Sequence, residues 1–204
     1  MFIKIMKMMI PKLTATVAAL TLMAGCIVLS VYPFYTTKDL ISDPALAGRW
    51  ADTSKANAFW QFADLNGKSY LLTSTDEQAT NVFEAHLFRL KEQQFLDLLT
   101  TNRGEFQLPM HLISKVERTD TNLSLQFMDF GWLAGLLETN PAVLRHIVVP
   151  TEPGSTNEAL GSGDNNMVYL TADTKALQKF LLKHAHDTNA FNAGSAVSLE
   201  RVSP

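Results

Sequence analysis

Residues 58–75 read Ala-Phe-Trp-Gln-Phe-Ala-Asp-Leu-Asn-Gly-Lys-Ser-Tyr-Leu-Leu-Thr-Ser-Thr, and this stretch decides the fold class of the chain. Two runs rich in aromatic, aliphatic and hydroxyl residues, 58–64 and 69–74, flank the dipeptide Asn66-Gly67. Both residues of the dipeptide tolerate the positive φ that a type I′ turn requires. The stretch therefore predicts a β-hairpin with a tight turn at Asn66-Gly67.

The same alternation of short runs and turn residues continues on both sides of this hairpin. Turn signals at residues 91–93 and 119–122 predict two further hairpins. Strands recurring at such short intervals are typical of an antiparallel barrel or sandwich rather than of βαβ units. The other predicted strands are 46–51, 82–90, 95–100, 110–117, 123–128, 146–149, 167–171 and 197–202.

Two helices interrupt the strand pattern. Asp129 is a suitable N-cap for a helix over residues 130–139. A second helix is predicted over about 173–186, where apolar residues recur on one face. Residues 150–166 are polar and acidic and predict a mobile loop. The predicted fold is thus mainly β, a barrel or sandwich with two helices at about 130–139 and 173–186.

The N-terminal residues have the three parts of a secretory leader. Residues 1–12 contain three lysines and no acid, and residues 13–23 form an apolar run. Two small residues, Ala24 and Gly25, stand directly before Cys26. Small residues at this place are those that a signal peptidase needs before its cut.

This leader resembles the signal of bacterial lipoproteins with its lipobox, with Met23 at the position where that motif usually has Leu. The resemblance implies that the thiol of Cys26 receives a diacylglyceryl group and that cleavage leaves Cys26 as the acylated N-terminus. Ile27 stands where an Asp would signal retention in the inner membrane, so the resemblance implies the outer membrane, facing the periplasm. The chain would divide into a signal peptide (1–25), a tether (26–44) and a β-rich domain (45–204).

The alternative is an uncleaved membrane anchor. The apolar stretch continues past the cysteine, and residues 13–32 are long enough as a helix to span about 30 Å of hydrocarbon. This anchor would hold the protein in the inner membrane with its domain outside. Both alternatives place the domain in the bacterial cell envelope.

The charge balance argues against nucleic acid as a partner. The chain has a formal net charge of −3, and loss of the three leader lysines would leave −6. No run of Lys or Arg follows the leader. Cys26 is the only cysteine, so the fold uses no disulfide.

The start of the domain, Gly48-Arg49-Trp50, is similar to the Gly-x-Trp motif in the first strand of lipocalin-like (calycin) barrels. That resemblance implies a barrel whose base is closed by Trp50, with Arg201 stacked over it. The chain also resembles small bacterial lipoproteins that carry no biochemical function to transfer. The segments that carry this second resemblance are 35–40, 43–46, 48–50, 83–87, 95–98 and 170–172.

Four polar residues are candidates for a chemical site. Glu84 and His86 alternate on one predicted strand and so share a face, and Asp97 and His111 lie on the strands that follow. Inside a barrel such a cluster would serve as an acid–base or metal site. The alternative is a satisfied polar network or an exposed strand face, and the lack of a fixed-spacing motif favours this alternative. The sequence contains no catalytic signature and predicts no enzyme, no metal and no cofactor.

Aromatic residues on the early strands suggest a binding function. Trp50, Trp60, Tyr70 and Phe88 are predicted to line a cavity for an apolar small molecule or lipid. The alternative is a scaffold or assembly factor that contacts another envelope protein through its outer strands or the helix at 130–139. A hollow interior would favour the ligand, whereas a filled interior with exposed apolar surface would favour the partner.

Overall fold

Strands dominate the computed structural model, which describes residues 28–101, 108–150 and 166–202. Every predicted strand and helix is present, with ends that differ by two residues or fewer, and one short strand, β1, was not predicted. The described strands are β1 (Leu29–Ser30), β2 (Gly48–Asp52), β3 (Phe59–Asp64), β4 (Tyr70–Thr75), β5 (Thr80–Leu90), β6 (Gln93–Thr100), β7 (His111–Arg118), β8 (Asn122–Phe127), β9 (His146–Pro150), β10 (Asn166–Leu170) and β11 (Val197–Arg201). The α-helices are α1 (Phe130–Thr139) and α2 (Thr174–His184), and a short 3-10 helix spans Ala193–Ser195.

Eight of the strands close into an antiparallel barrel. Consecutive antiparallel pairs place β2 to β8 side by side, and β11 closes the ring between β8 and β2. The predicted mainly β fold with two helices is therefore confirmed, and the barrel is found rather than the sandwich.

The hairpin of residues 58–75 forms, but its turn differs from the prediction. Only Gly67 of the dipeptide Asn66-Gly67 has a positive φ, 74°, so the predicted type I′ turn is wrong. The Asp64 carboxylate accepts hydrogen bonds from the backbone N–H of Asn66 (3.2 Å) and of Gly67 (2.7 Å). This bonding holds a wider loop that needs positive φ at the glycine alone.

The barrel interior is packed with apolar side chains from all eight of its strands. Several of them, such as Leu72 and Leu96, have no accessible surface, so no water-sized space touches them. The buried residues of this inner core are Leu46, Trp50, Trp60, Phe62, Tyr70, Leu72, Ala85, Leu87, Leu96, Leu98, Leu112, Val116, Leu123, Leu125 and Leu199.

A second core lies on the outer face of the barrel. There the wall formed by β5, β6 and β7 carries apolar residues, among them Phe88, Phe95 and Ile113, that pack against α1 and α2. Each helix begins at an aspartate whose carboxylate accepts a backbone N–H, Asp129 in α1 and Asp173 in α2. The helices therefore cover an apolar barrel wall that water would otherwise touch.

Residues 28–44, suggested by the sequence as a tether, are built into the fold. Leu29–Ser30 pairs with β7 and runs parallel to β10, and Phe34 has no exposed surface. Farther on, the Ile41 N–H donates to the Leu87 carbonyl at 3.0 Å. Strands β1, β10 and β9 thus form a three-stranded extension of the barrel. Of the predicted mobile loop, residues 151–165 lie outside the described part of the chain.

Arg201, the last residue of β11, stacks on Trp50 and joins β11 to the residues before β2. Its guanidinium lies 4.3 Å from the centre of the Trp50 ring and donates to the carbonyls of Ala47, at 3.2 Å, and Ala45. Gly48 has φ +131°, and a Cβ there would lie 2.9 Å from Arg201 Nη1, so only glycine fits. The resemblance to calycin barrels implies this stacking of Arg201 on Trp50, while membership of that family stays a prediction.

We expect Arg201→Lys to lower the free energy of unfolding by about 1–2 kcal/mol, because lysine keeps the charge but loses the planar fork. Urea denaturation followed by tryptophan fluorescence would measure the change. Arg49→Lys is the matched control, since Arg49 also stacks on a ring, that of Phe59 at 3.8 Å, but is exposed. Equal effects of the two variants would contradict the role given to Arg201.

Candidate functional site

The structure brings the four predicted polar residues together, but on the outer face of the barrel and not inside it, because residues 85, 87, 96 and 98 take the inward positions of these strands. His86 on β5 is the direct cross-strand partner of Asp97 on β6. Glu84 lies two residues before His86 on the same face, and His111 begins β7 beside them. The cluster adjoins the outer core, at the place where residues 33–35 cross the wall.

Asp97 is the centre of this cluster. Its carboxylate has no exposed surface, yet it accepts two hydrogen bonds. One is 2.7 Å long and joins Oδ1 to Nδ1 of His111, and the other, 2.9 Å, comes from the backbone N–H of Phe34 to Oδ2. Asp97 therefore ties β7 and the N-terminal segment to β6, and it requires the Nδ1 proton on His111.

His86 is held beside this pair in an apolar setting. Its Nε2 lies 3.2 Å from the Glu84 carboxylate, and its ring stacks on Tyr35 with centroids 4.6 Å apart. Burial lowers the pKa of His86, and the attraction of the Glu84 and Asp97 carboxylates only partly offsets this effect. Burial, together with the same two carboxylates, raises the pKa of the Tyr35 hydroxyl.

The second ring nitrogen of His86 differs from the other polar atoms of the cluster in its hydrogen bonding. This nitrogen, Nδ1, is buried and has no hydrogen-bond partner among the described residues. In the same part of the chain, no three His, Cys, Asp or Glu side chains are placed to hold a metal ion.

With Phe34 bound at Asp97 and Tyr35 stacked on His86, the cluster fastens the N-terminal segment to the barrel wall. Sequence reasoning missed these two residues because it treated them as tether.

The four predicted cavity residues do not lie together. Trp50, Trp60 and Tyr70 belong to the inner core, whereas Phe88 lies on the other side of the wall and stacks on Phe95 at 5.6 Å. Trp50 and Phe88 have no exposed surface, and Trp60 and Tyr70 are 3% and 2% exposed. The side chains of Trp50, Trp60 and Tyr70 thus help to fill the barrel interior.

A few polar atoms interrupt this inner core. Ser74 Oγ and Asn81 Nδ2, on paired residues of β4 and β5, are buried without a partner among the described residues, as is Ser114 Oγ on β7. Because buried polar groups are usually hydrogen-bonded, these atoms mark the places where an internal water or a polar ligand group would be accommodated.

A cationic groove runs along the exposed side of α2. The cleft has a volume of about 790 Å³ and is lined by four lysines and one acid, Asp173, together with Ala176, Gln178 and Leu182. None of the four forms an ion pair within the described part of the chain. The lysines are Lys91, Lys175, Lys179 and Lys183. Sequence reasoning missed this groove, although three of these lysines recur at the four-residue spacing of one helix face.

No family model matches the chain, and no curated protein or solved structure is significantly similar to it. Cys26 lies outside the described residues. Within those residues, no helix is both long and apolar enough to cross a membrane.

Acidification is expected to destabilise the domain through His86. The fold holds the pKa of His86 below the usual 6.5, so the unfolded chain binds more protons than the folded one once the pH falls below about 6.5. The contribution of His86 to the free energy of unfolding is fully present above about pH 6.5. It decreases below that pH by at most about 1.4 kcal/mol per pH unit for one proton. Urea denaturation at a series of pH values would measure this slope.

His86→Phe is the variant that assigns the slope, because phenylalanine keeps the stack on Tyr35 but does not titrate. The slope should decrease in this variant and not disappear, since burial also lowers the pKa of His184. An unchanged slope in His86→Phe would refute the assignment.

Proposed function

We propose that this protein is a lipid-anchored envelope protein whose domain acts as a scaffold that contacts another protein through its surface. The leader ending at Cys26 supports the anchor. The alternative anchor at 13–32 has less support, because residues 29 and 30 form β1. A helix from 13 to 28 would reach only about 24 Å, less than the roughly 30 Å of a hydrocarbon core.

The packed barrel is the observation that carries the scaffold function. Its inner core leaves Trp50 without accessible surface, and Trp60 and Tyr70 with almost none. An apolar ligand in the barrel would have to push these side chains out of a close-packed interior, at a cost of typically 1–3 kcal/mol for each forced rearrangement. Binding at the outer surface has no such cost.

The α2 groove is the surface that we assign to the protein partner. Its four lysines lie together, whereas the domain as a whole is acidic. Unpaired lysines in one cleft attract a partner segment with carboxylates at matching intervals, and Leu182 adds apolar contact. The proposed partner is therefore an acidic segment of another envelope protein.

Photo-crosslinking in cells tests this function. A photoreactive residue at position 182 should give one adduct of defined mass, and Lys179→Glu should reduce its yield by about fivefold, the equivalent of roughly 1 kcal/mol. Lys68→Glu, the same charge reversal at the exposed turn between β3 and β4, is the matched control. Absence of an adduct, or equal loss in both variants, would contradict the proposal.

A further inference from the structure

Strand β9 exposes more apolar surface than a soluble edge strand usually does. Ile147, Val148 and Val149 follow one another and are 51%, 50% and 40% exposed. Within the described chain β9 pairs with β10 alone, so it forms the edge of the sheet. An apolar edge of this kind normally meets another surface.

The backbone of β9 is a poor template for another strand. The Thr171 N–H donates to the Arg145 carbonyl, so these two residues form a hydrogen-bonded pair. Hydrogen-bonded and non-hydrogen-bonded pairs alternate along an antiparallel ladder, and the backbone groups of residues 147 and 149 therefore also point toward β10. The groups of His146 and Val148 then face away from the sheet, and Pro150 has no N–H to offer. β9 thus offers another strand only the backbone groups of His146 and Val148 and the carbonyl of Pro150, whereas three exposed apolar side chains are available for contact.

The position of the proposed lipid anchor indicates which surface covers β9. Leu29 pairs with Tyr169, and Tyr169 pairs with Ile147, so one row crosses β1, β10 and β9. Neighbouring strands lie about 4.8 Å apart, which places Ile147 about 10 Å from Leu29. Cys26 precedes Leu29 by three residues and is therefore at most about 11 Å from it. An acyl group on Cys26 would bring the membrane within reach of β9.

We propose that the edge strand β9, which projects Ile147 and Val149 from one face of the sheet and Val148 from the other, forms a membrane-contact edge that rests at the boundary between lipid headgroups and acyl chains. This inference relies on the proposed acylation of Cys26. At that depth, water and headgroups solvate the outward N–H and C=O groups while the apolar side chains meet lipid. The contact fixes the orientation of the domain on the bilayer and leaves the far side of the barrel free.

Fluorescence quenching in vesicles tests the contact. Cys26 is the only cysteine, and acylation would block its thiol, so Val148→Cys in the protein purified from membranes creates a single labelling site. We expect an environment-sensitive dye there to be quenched by nitroxide lipids in phosphatidylcholine vesicles. Quenching should persist in about 1 M salt, where the Debye length is only about 3 Å, because the contact is apolar.

Leu71→Cys is the matched control, since Leu71 is 38% exposed on β4, which lies away from β1 around the barrel. Several-fold stronger quenching at position 148 than at position 71 supports the contact. Equal quenching at the two positions overturns it, and so does disulfide-linked dimer of unlabelled Val148→Cys, which would show that a second copy covers β9.

Labelling of the wild-type protein tests the acyl anchor at Cys26 separately from the membrane contact of β9. If the wild-type protein takes up the dye, the Cys26 thiol is free, and both the acyl anchor and the membrane contact fail. If it takes up none, and its mass exceeds that of the cleaved chain by a diacylglyceryl group, the anchor is present. Absence of quenching at position 148 then refutes the membrane contact alone.

Discussion

The structure depends on a barrel wall that is apolar on both of its faces. Along β5 and β6, Leu87 and Leu96 point into the barrel, whereas Phe88 and Phe95 point away from it. Closing the barrel removes only one of these two apolar faces from water. Because the other face must also be removed from water, α1, α2 and the N-terminal segment are drawn onto it.

The buried carboxylate of Asp97 links this wall to the N-terminal segment. A buried carboxylate is stable only when its oxygens are hydrogen-bonded, and here Nδ1 of His111 and the backbone N–H of Phe34 supply those bonds. The segment after Cys26 is consequently fixed from Val28 onward instead of acting as a flexible spacer. This rigidity fixes the N-terminal segment from Val28 onward, the β9 edge and the α2 groove relative to one another.

The sequence predicts the strands and helices better than the tertiary contacts between them. Alternation along β5 correctly places Glu84 and His86 on one face, and Asp129 correctly starts α1. The position of Phe88 was missed because both faces of β5 are apolar, so periodicity does not tell inside from outside. The α2 groove also depends on tertiary contacts, since Lys91 reaches it from the turn between β5 and β6.

Native mass spectrometry of the protein extracted from membranes tests most directly whether the barrel is filled by its own side chains. The account predicts the mass of the acylated polypeptide alone, unchanged after challenge with excess phospholipid or fatty acid. A stoichiometric non-covalent ligand that is lost on Trp60→Ala would contradict it. That result would show that the barrel opens around a ligand and that the surface is not the main site of function.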